Sequence, residues 1–382
     1  WNALKEAYEA ANPNVTIEMV DLGSTDYMTV LATELSGSGS DFDVVTIKDV
    51  PGYATLVQKN TLESLDDYIT DAGINLADFN GITDQVTVDG SLYELPFRSD
   101  YWLIYYNKDV FDAAGIAYPS NDMTMEDYDA LARQLTDTTY GSQVYGCHYH
   151  TWRSAVELFG ILDGKHSILD GNYDWMIPYY DMILSEEDDG VCQTYTDLST
   201  EGLHYSAAFS NGNVAMMNMG SWFISTLISN LDSGEYDSSL CGNWGIASYP
   251  HPDGAEAGST IATITGLAVT SASANKDAAF DFVNWVSGTE GAKVMASTGN
   301  FPAIMTDDVI NTIAGMAGFP TDEGSKEALN ITNAYLEVPY AENVSEINSI
   351  LDTYHTSIMN REVTVEEGVA SMNEQVGKIL NQ

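Results

Sequence analysis

Apolar residues recur every three or four positions at the start of the chain, which is the spacing of an amphipathic helix. The positions on this first face are Trp1, Leu4, Tyr8 and Ala11. Alternating β-branched residues at 15–20 predict a strand, a helical pattern follows at about 26–35, and a short apolar run at 43–47 predicts a buried strand. A strand, a helix and a strand in this order predict an α/β protein whose parallel sheet is covered by helices.

Later segments repeat both periodicities. An aromatic strand is expected at 101–106, and apolar positions at helical spacing follow Asn275 and Thr364. Thr124 and Thr364 each stand three residues before an acidic residue, the pattern of a capping box at a helix N-terminus. The chain has no repeat of 20–50 residues and no low-complexity linker, so separate domains would be joined by short crossovers.

The charge balance excludes two classes of partner. The 382 residues include 13 Lys plus Arg and 57 Asp plus Glu, a formal net charge of −44, while 44% hydrophobic residues indicate a folded protein. Nucleic-acid binding needs basic side chains that neutralise phosphates, so we expect no nucleic-acid partner. An anionic membrane surface would repel the chain for the same reason, and no apolar run is long enough for a transmembrane helix.

Motifs of catalysis and metal binding are incomplete. The segment 160–166 resembles a phosphate-binding loop but is one residue short, no nucleophile elbow occurs, and the acidic run 186–190 lacks the terminal ligands of a calcium loop. The single metal-like run, 147–150, contains one cysteine and two histidines but has no second ligand pair at zinc spacing. We therefore expect no catalytic residues, no metal and no cofactor, while 57 acidic residues leave a glycosidase carboxylate pair open.

The three cysteines show no CxxC spacing. Cys192 could bridge to Cys241 and leave Cys147 unpaired, but a disulfide framework is not what holds a chain of this length together.

Three clusters alternate aromatic rings with hydrogen-bonding groups, at 98–102, 149–153 and 218–222. A sugar has an apolar C–H face and a belt of hydroxyls, so its binding sites combine flat rings with polar groups. Trp222 is the strongest candidate, since Gly220 and Ser221 suit a strand-to-helix turn at the edge where open α/β sheets bind ligands.

Four ordered motifs along nearly the whole chain carry a family resemblance. The run 105–116, YYNKDVFDAAGI, resembles a signature of family 1 of the extracellular solute-binding proteins, the sugar-binding proteins of ABC importers that include the maltodextrin-binding protein. The segments 41–45, 212–222 and 265–283 are similar to further blocks of this family, with Phe42 in place of its usual proline.

The resemblance implies a two-lobed periplasmic-binding-protein-like fold (type II), in which each lobe is a mostly parallel sheet flanked by helices. The hinge crossovers are expected near 108–109, 262–263 and 306–307. The N-terminal lobe would then comprise 1–108 and 263–306, and the C-terminal lobe 109–262 and 307–382.

The resemblance also implies a function and a location. The protein is expected to be a monomer that captures an oligosaccharide in an interlobe cleft and delivers it to the permease subunits of an ABC importer. It would be extracellular and lipid-anchored, or periplasmic in a Gram-negative cell, with the signal peptide and anchor outside this sequence.

The ligand-binding residues come from the family motifs and the aromatic clusters. They are Lys48, Asp49, Arg98, Asp100, Trp102, Tyr149, His150, Trp152, Trp222, Thr265, Gly266, Asn300 and Phe301. Two alternatives stay open: an extracellular polysaccharide-active enzyme, and a binding protein for a non-sugar solute such as a peptide or a polyol.

Overall fold

The computed structural model describes residues 1–23, 26–37, 42–79, 81–138 and 143–381. The chain divides into two compact units. Unit 1 comprises Trp1–Asp100, Thr263–Ile313 and Val338–Glu346, and unit 2 comprises Tyr101–Ala262, Ala314–Glu337 and Ile347–Gln382. Because each unit is assembled from three separate segments, no single linker divides the sequence.

Helices make up most of the regular structure. In the described residues they are α1 (Asn2–Ala11), α2 (Tyr27–Ser36), α3 (Val50–Gln58), α4 (Asp66–Ala72), α5 (Lys108–Ala114), α6 (Met125–Thr138), α7 (Ser154–Ile161), α8 (Ile177–Asp188), α9 (Tyr195–Glu201), α10 (Tyr205–Ser210), α11 (Trp222–Ser233), α12 (Ser238–Cys241), α13 (Lys276–Ser287), α14 (Thr289–Ser297), α15 (Asp307–Ala314), α16 (Glu323–Glu327), α17 (Val344–Met359) and α18 (Val365–Leu380). Short 3₁₀ helices cover Leu76–Phe79, Thr83–Val86 and Asp174–Met176. Within the described part of the chain, every helix is too short or too polar to cross a lipid bilayer.

The strands form mixed sheets. They are β1 (Val44–Ile47), β2 (Leu95–Asn107), β3 (Tyr145–His148), β4 (Val214–Gly220), β5 (Trp244–Ser248), β6 (Ser259–Val269) and β7 (Asn333–Leu336). In unit 1, β1 pairs antiparallel with the second half of β6. In unit 2, β2 pairs antiparallel with β4 and β5, whereas β3 pairs parallel with β4 and the first half of β6 pairs parallel with β7.

The α/β class is confirmed, but the expected predominance of parallel pairing is not found among these pairings. The predicted strand at 15–20 is also wrong, because these residues have no strand conformation. Side chains of α1 form hydrogen bonds with the backbone of Ile17. The Ile17 N–H donates to the Glu9 carboxylate at 2.7 Å, and Lys5 donates to the Ile17 carbonyl at 2.6 Å. Without a first strand, the predicted strand–helix–strand unit is absent, and β1 pairs with β6 from far along the chain.

The predicted helices agree with the structure. The first two coincide with α1 and α2, and the patterns after Asn275 and Thr364 coincide with α13 and α18. Both capping boxes form: the Thr364 hydroxyl accepts from the Glu367 N–H, the Thr124 hydroxyl accepts from the Asp127 N–H, and each carboxylate accepts from the threonine N–H in return. Part of the motif at 41–45 lies outside the described residues, since residues 38–41 are not described.

Candidate functional site

Five aromatic side chains of unit 2 meet in one group, which we call the ring cluster: Trp102, His150, Trp152, Tyr205 and Trp222. The Trp102 ring centroid lies 5.5 Å from that of Trp222 and 6.4 Å from that of Trp152, both nearly perpendicular. The Trp152 centroid lies 6.3 Å from that of Trp222. Edge-to-face packing at these distances holds aromatic rings in fixed orientations. Three tryptophans from three distant segments of the sequence therefore pack together, with Trp102 buried, Trp222 partly exposed and Trp152 exposed.

The local backbone explains the position of Trp222. Strand β4 ends at Gly220 and α11 begins at Trp222, which confirms the predicted strand-to-helix turn. The turn is attached to β2, because the Ser221 N–H donates to the Tyr101 carbonyl at 2.8 Å and the Ser221 hydroxyl accepts from the Tyr101 N–H at 3.2 Å. A Cβ at position 220 would lie 2.1 Å from the Trp222 ring, so only glycine allows this ring to lie over the strand end.

Two buried polar atoms of the ring cluster have no hydrogen-bond partner: the indole nitrogen Nε1 of Trp102 and the ring nitrogen Nδ1 of His150. Burial is the main reason that the pKa of His150 falls to about 4, so its ring is neutral at pH 7. Trp152, in contrast, is 40% exposed. Exposed ring surface beside unsatisfied polar atoms is suited to a molecule that has both an apolar face and hydrogen-bonding groups.

Unit 1 contains a pair of carboxyl groups near the end of β1. Asp49 is the N-cap of α3, and its carboxylate accepts a 2.7 Å hydrogen bond from the Gly52 N–H. Glu94 is fully buried, and neither carboxyl oxygen has a hydrogen-bond partner. A Cβ at Gly266 would lie 2.0 Å from Oε2 of Glu94, so glycine at this position makes room for the carboxyl group.

The electrostatics of this pair favour protonation. Burial, and secondly the nearby Asp49 charge, raise the pKa of Glu94 to about 8. The pKa of Asp49 is also raised, chiefly by desolvation, although the Gly52 hydrogen bond opposes this shift. At pH 7 Glu94 therefore carries a proton and can donate a hydrogen bond.

We expect Glu94→Gln to flatten the pH dependence of stability. Between about pH 4.3 and pH 8 the unfolded chain has released the Glu94 proton while the folded protein keeps it, so the free energy of unfolding falls as the pH rises. Within this range the free energy of unfolding falls by up to about 1.4 kcal/mol per pH unit. The stabilisation by the Glu94 proton is therefore fully present below about pH 4.3 and lost once the pH passes about 8. Urea unfolding at pH 6, 7 and 8 would measure the slope.

Glu290→Gln is the matched control in unit 1, because the Glu290 side chain is 61% exposed and pairs with Lys293 at the surface. It should keep the slope of the wild-type protein. An unchanged slope in Glu94→Gln would show that Glu94 is ionised in the folded protein.

The remaining residues predicted to bind the ligand lie outside the ring cluster and the carboxyl pair. Arg98 forms an ion pair with Asp100 at 2.6 Å, Lys48 is exposed, and Thr265 and Asn300 are partly exposed. Phe301 is buried in unit 1, and its carbonyl accepts from the Ser99 N–H. Tyr149 is buried in unit 2 beside Tyr128 and Phe159, outside the ring cluster.

Tyr205 of the ring cluster and Glu94 of the carboxyl pair were not among the residues predicted from the sequence. Tyr205 begins α10, where its ring centroid lies 5.7 Å from that of Trp152. The signal in the sequence is the adjacent aromatic pair His204 and Tyr205, whose ring centroids lie 4.0 Å apart. Glu94 had no distinguishing pattern, because one glutamate before an apolar strand is unremarkable in a chain with 57 acidic residues.

The family model of the bacterial extracellular solute-binding proteins matches residues 1–293. This chain belongs to that family. Family membership agrees with the resemblance found in the sequence, and the family consists of solute-binding proteins.

Individual relatives agree with this assignment. The mannitol-binding protein of Pseudomonas aeruginosa is 23% identical over 301 residues, which cover 77% of this chain and 67% of that protein. The lactose-binding protein of Rhizobium radiobacter is 25% identical over 298 residues, covering 73% and 65%. These matches span about two thirds of the relatives' own length.

Solved structures support the fold. A sugar transporter from Rhizobium etli, crystallised in an open conformation, is 47% identical, with a TM-score of 0.89 and coverage of 99% of this chain and 95% of that chain. An ABC substrate-binding protein from Listeria monocytogenes in complex with cycloalternan has a TM-score of 0.81 at 22% identity, covering 100% and 95%. The two-lobed architecture of sugar-binding proteins is thus the fold of this chain.

Proposed function

We propose that this protein binds a neutral oligosaccharide and delivers it to the permease subunits of an ABC importer. The observation that carries the proposal is the ring cluster, in which the exposed ring of Trp152 and the partly exposed ring of Trp222 pack against buried Trp102, next to unsatisfied polar atoms. Stacking of sugar rings on such surfaces, together with hydrogen bonds to hydroxyls, supplies affinity without any charge on the ligand.

Charge supports a neutral ligand. The net charge of −44 disfavours the approach of an anionic solute, and both histidines at 148 and 150 are neutral because burial lowers the pKa to about 3 and about 4. The sugar-binding relatives and the R. etli sugar transporter agree with this choice of ligand class.

A polyol is the second candidate, supported by the similarity to a mannitol-binding protein. An acyclic polyol has hydroxyl groups but no ring face, and would use fewer of the stacking surfaces. The comparison of cyclic and acyclic ligands therefore separates the two candidates.

The experiment is calorimetric titration with maltotriose, lactose, cellobiose, mannitol and triglycine, with tryptophan fluorescence recorded in parallel. We expect saturable binding of at least one cyclic sugar at a Kd of roughly micromolar, equivalent to about 8 kcal/mol, with a change in fluorescence. Binding of mannitol alone would favour the polyol, and binding of triglycine alone, or of no carbohydrate, would overturn the proposal.

The remaining parts of the proposal follow from the family. We infer that the protein is a monomer that is not an enzyme and is held outside the cell by a lipid anchor. The lobes expected at 1–108 with 263–306, and at 109–262 with 307–382, are part of this proposal, as is their closure over the ligand. An unchanged number of reducing ends after incubation with oligosaccharides would agree with binding without hydrolysis.

A further inference from the structure

Two of the three cysteines lie together in unit 2. The sulfur atoms of Cys147 and Cys192 and a carboxyl oxygen of Glu186 all lie within 4.8 Å of one another. All three residues are buried, and each cysteine is a free thiol. Cys241 is also buried, but it belongs to α12, where its thiol contacts the Asp237 carbonyl.

The backbone brings the two cysteines side by side. Cys147 is part of β3, and Cys192 follows Val191, after the end of α8. The Gly146 N–H donates to the Val191 carbonyl at 2.8 Å, and the Cys147 N–H approaches the same oxygen at 3.4 Å. Since these bonds connect the two segments next to both cysteines, the backbone holds Cys147 and Cys192 side by side.

Two chemistries use a pair of adjacent thiols: a disulfide bond and a soft metal ion. A metal ion needs both thiolates, but burial raises the pKa of the Cys147 thiol well above its usual value. The hydrogen bond with Cys147 lowers the pKa of Cys192, but burial and the nearby Glu186 and Glu187 charges outweigh it, so this pKa is raised as well. Two thiolates and a carboxylate around a divalent ion would leave a net negative charge buried in the unit. A disulfide is neutral and apolar, and it forms in the oxidising surroundings of extracellular proteins, the family of this chain.

We propose that Cys147 and Cys192 form a disulfide bond when the protein folds outside the cytoplasm, and that Cys241 stays a free thiol. With oxidised glutathione as the oxidant, both cysteines lose a proton and an electron, one S–S bond forms between them, and the S–S bond of glutathione is reduced to two thiols. Because both sulfur atoms are buried in the folded protein, the exchange takes place during folding.

The bond would tie β3 to the segment after α8. Strand β3 leads directly into His150 and Trp152 of the ring cluster, so the link restrains the part of unit 2 that positions these rings. It closes a loop of 46 residues, from 147 to 192, which removes conformational freedom from the unfolded chain.

The first test is a thiol map of protein refolded in a mixture of oxidised and reduced glutathione. After alkylation under denaturing conditions, we expect a single modified cysteine, Cys241, and a linked peptide pair containing Cys147 and Cys192. Cys241→Ser should keep the linked pair and show no free thiol, whereas Cys147→Ser should show two.

Three results would overturn the proposal: alkylation of all three cysteines, a linked peptide that contains Cys241, or a metal ion retained in the native mass spectrum with three thiols on denaturation. The first would show that the pair stays reduced, the second the pairing of Cys192 with Cys241, and the third a metal site.

Thermal unfolding supplies a second measurement. We expect dithiothreitol to lower the Tm of the wild-type protein and of Cys241→Ser by about 5–10 °C, and to leave the Tm of Cys147→Ser unchanged. Equal sensitivity of all three proteins to the reductant would contradict a bond between Cys147 and Cys192. The test concerns the cysteines alone, and its outcome is independent of which solute the protein binds.

Discussion

Replacing Trp222 with alanine is expected to weaken sugar binding by about 10- to 100-fold, equivalent to roughly 1.4–2.8 kcal/mol. The ring packs edge-to-face against Trp102 at 5.5 Å and lies over Gly220, so its removal deletes one stacking surface and loosens a second. Calorimetric titration with the sugar that binds the wild-type protein would measure the change.

Two further variants make this test specific. Trp222→Phe keeps an aromatic face and should lose less than about 10-fold, since stacking is retained on a smaller ring. Tyr118→Ala removes an exposed ring of the same unit that packs near Tyr106 and Phe111, outside the ring cluster, and should leave the affinity unchanged. Equal affinities of Trp222→Ala and the wild-type protein would exclude the ring cluster from the binding site.

Replacing Arg153 with alanine is expected to lower the free energy of unfolding by about 3–5 kcal/mol. The buried guanidinium group uses all five N–H donors: two contact Glu157 at 2.6 and 3.3 Å, two contact Asn348 at 3.2 and 2.7 Å, and one contacts Asp352 at 2.6 Å. Its removal leaves the fully buried Glu157 carboxylate without a counter-ion. Unfolding in urea, followed by circular dichroism, would measure the loss.

Lys378→Ala is the control, because this lysine is 55% exposed and pairs with Glu374, itself 67% exposed, at the surface, where an ion pair contributes less than about 1 kcal/mol. The double variant Arg153→Met, Glu157→Leu should recover part of the loss, since it removes both buried charges. If the double variant were less stable than Arg153→Ala, packing around the arginine and not the uncompensated charge would be the cause.

Arg153 also illustrates how sequence and structure differ. In the sequence it follows Trp152 in the aromatic cluster at 149–153. In the structure its donors are all used within unit 2, so it supports the loop that carries Trp152. Tyr149 belongs to the same aromatic cluster, 149–153, but its ring packs in the core of unit 2. It differs from the neighbouring His150 because alternate side chains near a strand point to opposite faces.

Local signals predicted the features that depend on neighbouring residues. The helices α1, α2, α13 and α18, both capping boxes and the turn before Trp222 follow from periodicity and from the hydrogen-bonding chemistry of residues three or four positions apart. The strand predicted at 15–20 failed because alternation alone cannot show whether a backbone finds a sheet partner, and here the side chains of Lys5 and Glu9 take that place.

By itself, therefore, the sequence determined the α/β class, the family resemblance, the acidic net charge and the strand-to-helix turn before Trp222. Only the tertiary structure decided which distant residues meet: Trp102 with Trp152 and Trp222, Glu94 with Gly266, and Cys147 with Cys192 instead of Cys192 with Cys241. The physical reason is that periodicity and capping act within a few residues, whereas these contacts depend on strand order and register, which pair segments more than 40 positions apart.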